Sequence, residues 1–360
     1  MKLVLEDGTE LSGKSFASEA PVAGEVVFNT GMTGYVETLT DPSYRGQILV
    51  LTYPLVGNYG VPPPRESGSL DGPFESDSIQ VQGLVVQNYV DQFSHHAGTR
   101  SLAAWMKTAD LPLLSGIDTR RLTQKLREKG TMRGWLINGP VEEGKRIARE
   151  IDMRDEVFRS VAPTRTRRLG DGQPHVLLVD TGCKDNICRS LLQRGASVTR
   201  APYHADLVGL AQEADGILLG NGPGDPKNIK ELIDKTKMLL GLDKPLMGVC
   251  LGNQILALAA GGDTAKMPYG HRGVNQPVQD LWTRRCYITS QNHGYAVQDA
   301  SLPDEWEPWF VNLNDGTNEG IRHRHKPFFS VQFHPEASPG PRDSGYLFDD
   351  FLRIVSGMRS

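Results

Sequence analysis

The apolar residues of the first half of the chain gather in short blocks punctuated by glycine and proline. Leu3-Val4-Leu5, Gly24 to Asn29, Gln47 to Leu51 and Val81 to Val86 predict strands. Two other stretches follow a helical period, Leu102 to Thr108 and Asp118 to Lys129. In the second of these Asp118 is an N-cap candidate, Leu122 and Leu126 share a face, and Gly130 stands just past the end. The polar, turn-rich stretches Asn29 to Tyr35 and Thr40 to Gln47 read as connections between strands. This pattern predicts an N-terminal α+β domain over residues 1–160. The following VAPTRTRRLGDGQP, residues 161–174, has no apolar periodicity and reads as a linker whose Arg165, Arg167 and Arg168 form a solvated surface.

From His175 the pattern changes to alternation of buried strands and amphipathic helices. Val176 to Asp180, Ala196 to Arg200, Gly216 to Leu219 and Pro245 to Val249 read as strands. Asn186 to Gln193, a segment within Lys227 to Leu240, and Ile255 to Ala260 read as helical. Residues 175–360 are therefore expected to form a doubly wound, mostly parallel α/β domain, with ligands outside the carboxyl ends of its strands.

At 360 residues the chain is long enough for two domains, and 38% hydrophobic with 23% charged residues is a globular composition. A formal net charge of -4 gives no electrostatic case for nucleic acid or an anionic membrane. The N-terminus lacks the apolar core of a signal peptide, and no apolar run is long enough to span a bilayer, so a cytoplasmic location is expected. Cys183, Cys188, Cys250 and Cys286 show no paired spacing, which argues against a disulfide framework and against a structural zinc site.

Cys250 stands apart from the other three. It sits in Gly248-Val249-Cys250-Leu251-Gly252, between an apolar strand and a helix, which is the strand–turn–helix setting of a nucleophile elbow. Glycines on both sides let the chain reverse sharply, and the following helix points its first amides at the sulfur. Taken alone, the motif fits a small core cysteine equally well. A base and its orienter are supplied by His334-Pro335-Glu336, at the end of the apolar run Phe328 to Phe333. If the backbone stays extended, positions i and i+2 face the same side and Glu336 can hold the His334 ring. His293, in the polar turn Gln291 to Tyr295, is the rival base. Gly220-Asn221-Gly222-Pro223-Gly224-Asp225-Pro226, after a strand, offers backbone amides to an oxyanion together with the amide of Leu251. It lacks the Lys-Ser/Thr ending of a phosphate loop.

Gly248 to Gln254, Asn221 to Pro226 and Phe333 to Ala337 together resemble the class I, triad-type glutamine amidotransferases. Gly24 to Thr30, Thr40 to Tyr44, Leu51 to Gly60, Ile117 to Arg120, Gly270 to Pro277 and Ser290 to Val297 narrow the likeness to the small, glutamine-hydrolysing subunits of carbamoyl-phosphate synthases. The likeness covers nearly the whole chain. It implies Cys250 as nucleophile, His334 as general base and acid, and Glu336 as orienter. It also implies an oxyanion site at the Gly222 and Leu251 amides. Glutamine would be held by Ser43 of the first domain and by Gly222, Gly224, Leu251, Gln254, Asn292, Gly294 and Tyr295. Hydrolysis would pass through a γ-glutamyl thioester with no metal or organic cofactor in this chain. The ammonia would go to a large synthetase subunit that uses ATP, Mg and bicarbonate to make carbamoyl phosphate, feeding arginine or pyrimidine synthesis. Gly220 stands where the family often has serine, and Asn253 where many members have histidine. The alternatives are another triad-type amidotransferase, as in anthranilate or GMP synthesis, a cysteine peptidase on the same elbow, or a catalytically silent scaffolding subunit.

Overall fold

A computed structural model describes residues 1–357 as two compact units, Met1–Asp152 and residues 153–357. The units divide at Asp152, ahead of the expected boundary at 160. The expected linker at 161–174 holds a short strand, Arg167–Leu169, that pairs antiparallel with Ser197–Pro202. Its three residues find backbone partners on a sheet edge, a signal that local periodicity does not carry.

In the first unit the strand Val22–Asn29 pairs in parallel with Gln47–Leu51, which continues in parallel to Gly83–Val86 and Leu113–Ser115. On its other side Val22–Asn29 runs antiparallel to Met132–Ile137. Val27, Leu49 and Leu84 from this sheet share a core with Leu39, Trp105 and Met106 of the helices Tyr35–Thr40 and Leu102–Thr108. The helix Thr119–Lys129 starts as its sequence predicts: Asp118 Oδ1 accepts the Arg121 N–H at 2.9 Å, and Leu122 and Leu126 are buried. The two turn-rich stretches are joined internally, since buried Asn29 Nδ2 donates to the Tyr44 hydroxyl at 2.7 Å.

The second unit is built on one ten-stranded sheet. Ser197–Pro202, His175–Asp180, Gly216–Leu219, Leu246–Val249 and Phe328–Val331 lie side by side in that order, each parallel to the next. This is the α/β core that the alternation predicts. Beyond Phe328–Val331 the sheet continues antiparallel through Asn318–His323, Trp306–Asn312, Thr264–Asp280 and Cys286–Val297. That extension lies outside the expected doubly wound pattern. The last two strands form a long hairpin with register shifts near Lys266/His271 and Gly273/Gln276, the bulges that bend a long ribbon. A bridge between Ser290 and His334 ties the hairpin to the parallel core.

The consequence for function is positional. The loops after His175–Asp180, Gly216–Leu219, Leu246–Val249 and Phe328–Val331 leave neighbouring parallel strands at the same end, so they converge. No helix among the described residues is long and apolar enough to cross a membrane.

Candidate active site

Cys250 occupies the apex between the strand Leu246–Val249 and the helix Leu251–Ala260, with φ 54° and ψ -103°. A left-handed φ on a residue with a side chain is strained, and here neighbouring backbone enforces it. Cys250 N–H donates to Val331 C=O at 2.9 Å, and the Cys250 carbonyl accepts Asn253 N–H at 3.0 Å. The flanking glycines are steric necessities. A Cβ on Gly252 would come within 2.2 Å of the Leu219 carbonyl oxygen, and one on Gly248 within 2.7 Å of Gly252 backbone. The sulfur is buried and lies 3.7 Å from the Asn292 carbonyl oxygen. All four cysteines are free, but burial pushes the Cys188 thiol up to about 12 and raises the Cys183 thiol well above its ordinary value too.

The strand that leads to His334 ends at Val331, and Ala337 N–H donates to the His334 carbonyl at 3.0 Å. His334 to Ala337 is thus a closed turn, where the sequence suggested extended backbone. The side chains meet across it: His334 Nδ1 stands 2.6 Å from Glu336 Oε1. Burial disfavours the imidazolium, but the charges of Glu336 and Cys250 outweigh it and raise the His334 pKa to about 10. His334 Nε2 is buried with no hydrogen-bond partner. A buried ring nitrogen without a partner is open to proton exchange with a neighbouring group.

Two residues that sequence reasoning did not select complete this corner. Buried Lys184 places Nζ 3.1 Å from the same Glu336 oxygen and also donates to the Ala337 carbonyl. Asn186 Nδ2 donates to the Glu336 carbonyl. Burial alone would protonate Glu336, but Lys184 and then His334 hold its pKa down to about 2. The Lys184 loop is itself pinned by charge. Asp180 Oδ1 accepts the Gly182 and Cys183 amides, both at 2.7 Å, while Arg200 bridges Asp180 and, at 2.6 Å, Asp185.

The loop from Gly220 to Pro226 lies beside the elbow. A Cβ on Gly222 would fall 2.8 Å from Leu251 Cδ2 and 2.7 Å from the Thr181 carbonyl oxygen, so the two candidate oxyanion residues are in contact. Asn221 Oδ1 accepts the Lys184 amide at 2.8 Å, which couples this loop to the Glu336 corner. Gly224, with φ +82°, packs instead toward Phe158, 3.1 Å from where its Cβ would be. Gln254 Nε2 donates to the Tyr295 carbonyl at 2.9 Å, joining the first turn of the elbow helix to the strand of Asn292 and Gly294. Ser43 lies in the first unit, in the turn Pro42–Tyr44, where its N–H donates to Asp41 Oδ1 at 2.9 Å. His293 does not pair with the sulfur, because its Nδ1 is 2.9 Å from the Tyr295 carbonyl and its Nε2 3.2 Å from Gln291 Oε1.

Both departures from the family pattern have local reasons. A Cβ on Gly220 would lie 1.8 Å from Cys183 Sγ, so the sulfur occupies the space a serine would need. Asn253 is buried and satisfied, with Nδ2 donating to Gln332 Oε1 at 3.1 Å and Oδ1 accepting from Ser330 Oγ at 2.8 Å.

Comparison with known proteins bears on both halves. The glutamine amidotransferase class-I family profile matches residues 177–354, and the carbamoyl-phosphate synthase small chain CPSase-domain profile matches residues 3–136. The carbamoyl phosphate synthase small chain of Symbiobacterium thermophilum is 48% identical over 98% of this chain and 97% of its own. That of Methanocaldococcus jannaschii is 46% identical over 98% of each. The multifunctional protein pyr1-3 of Dictyostelium discoideum is 46% identical over 99% of this chain, which spans 17% of that longer protein. With the two small chains matched over nearly their whole length, the chain belongs to the carbamoyl-phosphate synthase small-chain family and carries a class-I glutamine amidotransferase domain in its second half.

Proposed function

We propose that this chain hydrolyses glutamine and supplies the ammonia to a large synthetase subunit that makes carbamoyl phosphate from bicarbonate and ATP. The observation that carries the proposal is Cys250 at a strained left-handed apex beside His334, whose Nδ1 is engaged by Glu336 and whose Nε2 has no other partner.

In the proposed reaction His334 already holds the Cys250 proton, and the thiolate sulfur adds to the γ-carboxamide carbon of glutamine. The oxygen becomes anionic against the Gly222 and Leu251 amides. His334 then returns a proton to the departing nitrogen, ammonia leaves, and a γ-glutamyl thioester remains. Water, deprotonated by the same imidazole, adds to the thioester. Glutamate leaves and the thiol is restored, so that glutamine and water give glutamate and ammonia. Glu336 fixes which ring nitrogen faces the sulfur and stabilises the imidazolium between proton transfers. Gln254, Asn292, Gly294 and Tyr295 are proposed to hold the amino-acid end of the substrate. Family resemblance alone adds Gly224 and Ser43 to the glutamine contacts. Nothing in these steps calls for a cofactor, and ATP and Mg are assigned to the partner.

The test is glutaminase activity in Cys250→Ser protein. The substitution is nearly isosteric but replaces an easily ionised nucleophile, so hydrolysis should fall to background while the fold persists. Near-normal hydrolysis would refute the mechanism.

A further inference from the structure

Two histidines and a glutamate from three strands meet inside the second unit. His271 lies on Thr264–Asp280, His293 directly opposite on Cys286–Val297, and Glu319 on Asn318–His323. All three are buried, and one ligating atom from each lies within 4.8 Å of the others. Each histidine has one ring nitrogen tied from outside. His271 Nε2 is 2.9 Å from Asp315 Oδ2, which leaves Nδ1 aimed at Glu319 Oε1, 3.1 Å away. His293 Nδ1 is 2.9 Å from the Tyr295 carbonyl, which can only accept, so the proton sits on Nδ1 and Nε2 presents a lone pair.

That lone pair faces oxygen. Gln291 Oε1 is 3.2 Å away and Glu319 Oε1 3.9 Å. The amide of Gln291 is held in this orientation, because its Nε2 donates at 3.1 Å to Thr289 Oγ1, whose own proton goes to the Gln276 carbonyl at 2.9 Å. Asn312 Nδ2 serves Glu319 Oε1 at 3.0 Å and lies 3.3 Å from His271 Nδ1, but Glu319 Oε2 is buried with no partner. The His293 nitrogen, His271 Nδ1 and the unpartnered Glu319 oxygen thus gather in one buried place, an arrangement that suits a cation.

We infer that His271 Nδ1, His293 Nε2 and Glu319 Oε2 form a site for one divalent transition ion of the zinc class, with Gln291 Oε1 at its rim. Histidine held by a carboxylate or a backbone carbonyl on its far nitrogen is the usual outer shell of such sites. Two imidazoles and one carboxylate favour zinc-class ions over magnesium or calcium. The Glu319 and Asp315 carboxylates match a double positive charge. Arg272, the residue after His271, is engaged by the Tyr269 carbonyl at 2.6 Å. The Asp315 side chain is 40% exposed and opens a route from solvent. The ligands come from residues far apart in the chain, so no spacing announces them, and sequence reasoning expected no metal. An ion here ties the Gln291 to Tyr295 stretch, including the Asn292 carbonyl beside Cys250, to the strand of Glu319.

The test is titration of chelator-treated full-length protein with Co2+ and then Zn2+, read by visible absorption and by metal content. The site predicts one equivalent of Co2+ with ligand-field bands of a nitrogen–oxygen site, displaced by one equivalent of Zn2+. Asp315→Asn, a surface change, should weaken binding ~10–100-fold, and Glu319→Gln should abolish it. Zinc should raise the melting temperature of wild type and leave that of Glu319→Gln unchanged. Absence of stoichiometric binding, a sulfur-to-cobalt charge-transfer band that puts the ion on a cysteine, or equal affinities for wild type and Asp315→Asn would each overturn the assignment.

Discussion

His334 Nδ1 and Glu336 Oε1 stand 2.6 Å apart across a turn of four residues, inside a site where neither side chain reaches solvent. The pair orients the imidazole and leaves its Nε2 without a hydrogen-bond partner. Replacing His334 by asparagine should lower glutaminase kcat by ~10²–10⁴-fold, the usual contribution of a positioned acid–base group. Glu336→Gln should cost less, because the amide oxygen still accepts from Nδ1 while the charge is lost. Steady-state glutamate release by the two variants decides the matter, and a Glu336→Gln defect larger than that of His334→Asn would contradict these roles.

The same pair makes stability depend on pH. The folded pKa of His334 is raised to about 10, against about 6.5 in an unfolded chain, so the folded protein holds a proton that the unfolded chain releases. The resulting stabilisation is complete below about pH 6.5 and is lost as pH rises through about 10. The stability advantage of wild type over His334→Asn should therefore shrink between those limits. Denaturant unfolding at the two ends of the window measures it, and a gap that stays constant or widens would count against the pairing.

Gly220 and Cys183 compete for one space. Gly220→Ser should destabilise by ~1–3 kcal/mol, the common cost of overpacking, or more if the loop cannot shift. Adding Cys183→Ala should recover ~1 kcal/mol or more of that loss, an interaction energy ordinary for touching residues. Urea unfolding of the two single variants and the double variant closes the cycle. Strict additivity would mean that the sulfur is not what excludes a side chain at 220.

How much of this was legible beforehand follows the range of the interactions. The elbow could be read because its glycines, cysteine and flanking apolar runs are local, and the Asp118 cap and the Leu122 and Leu126 face are local too. His334 and Glu336 could be paired because they are two positions apart, although the turn that joins them was expected to be extended. Lys184 could not be found. Its role depends on a loop brought to Glu336 by parallel pairing of His175–Asp180 through Gly216–Leu219 and Leu246–Val249 to Phe328–Val331. The antiparallel extension and the edge strand at Arg167–Leu169 were missed for the same reason, since cross-strand partners decide them more than propensity does.

The Lys184 loop rests on a buried ionic arrangement of Asp180, Arg200 and Asp185. Arg200→Met keeps the volume but strands two buried carboxylates, which should cost ~3–5 kcal/mol. Thermal unfolding is the readout. A loss below ~1 kcal/mol would show that the loop is held by packing and backbone hydrogen bonds without help from this charge network.

The central claim is that Cys250 is the source of ammonia for a partner's synthesis of carbamoyl phosphate. The direct measurement is carbamoyl phosphate formation by the complex of this chain with its large subunit, supplied with ATP, Mg and bicarbonate. It should be run once with glutamine and once with ammonium salt, for wild type and for Cys250→Ser. The account predicts that glutamine-dependent synthesis vanishes in the variant while ammonium-dependent synthesis persists at the wild-type rate. Persistence of the glutamine reaction in Cys250→Ser would contradict it.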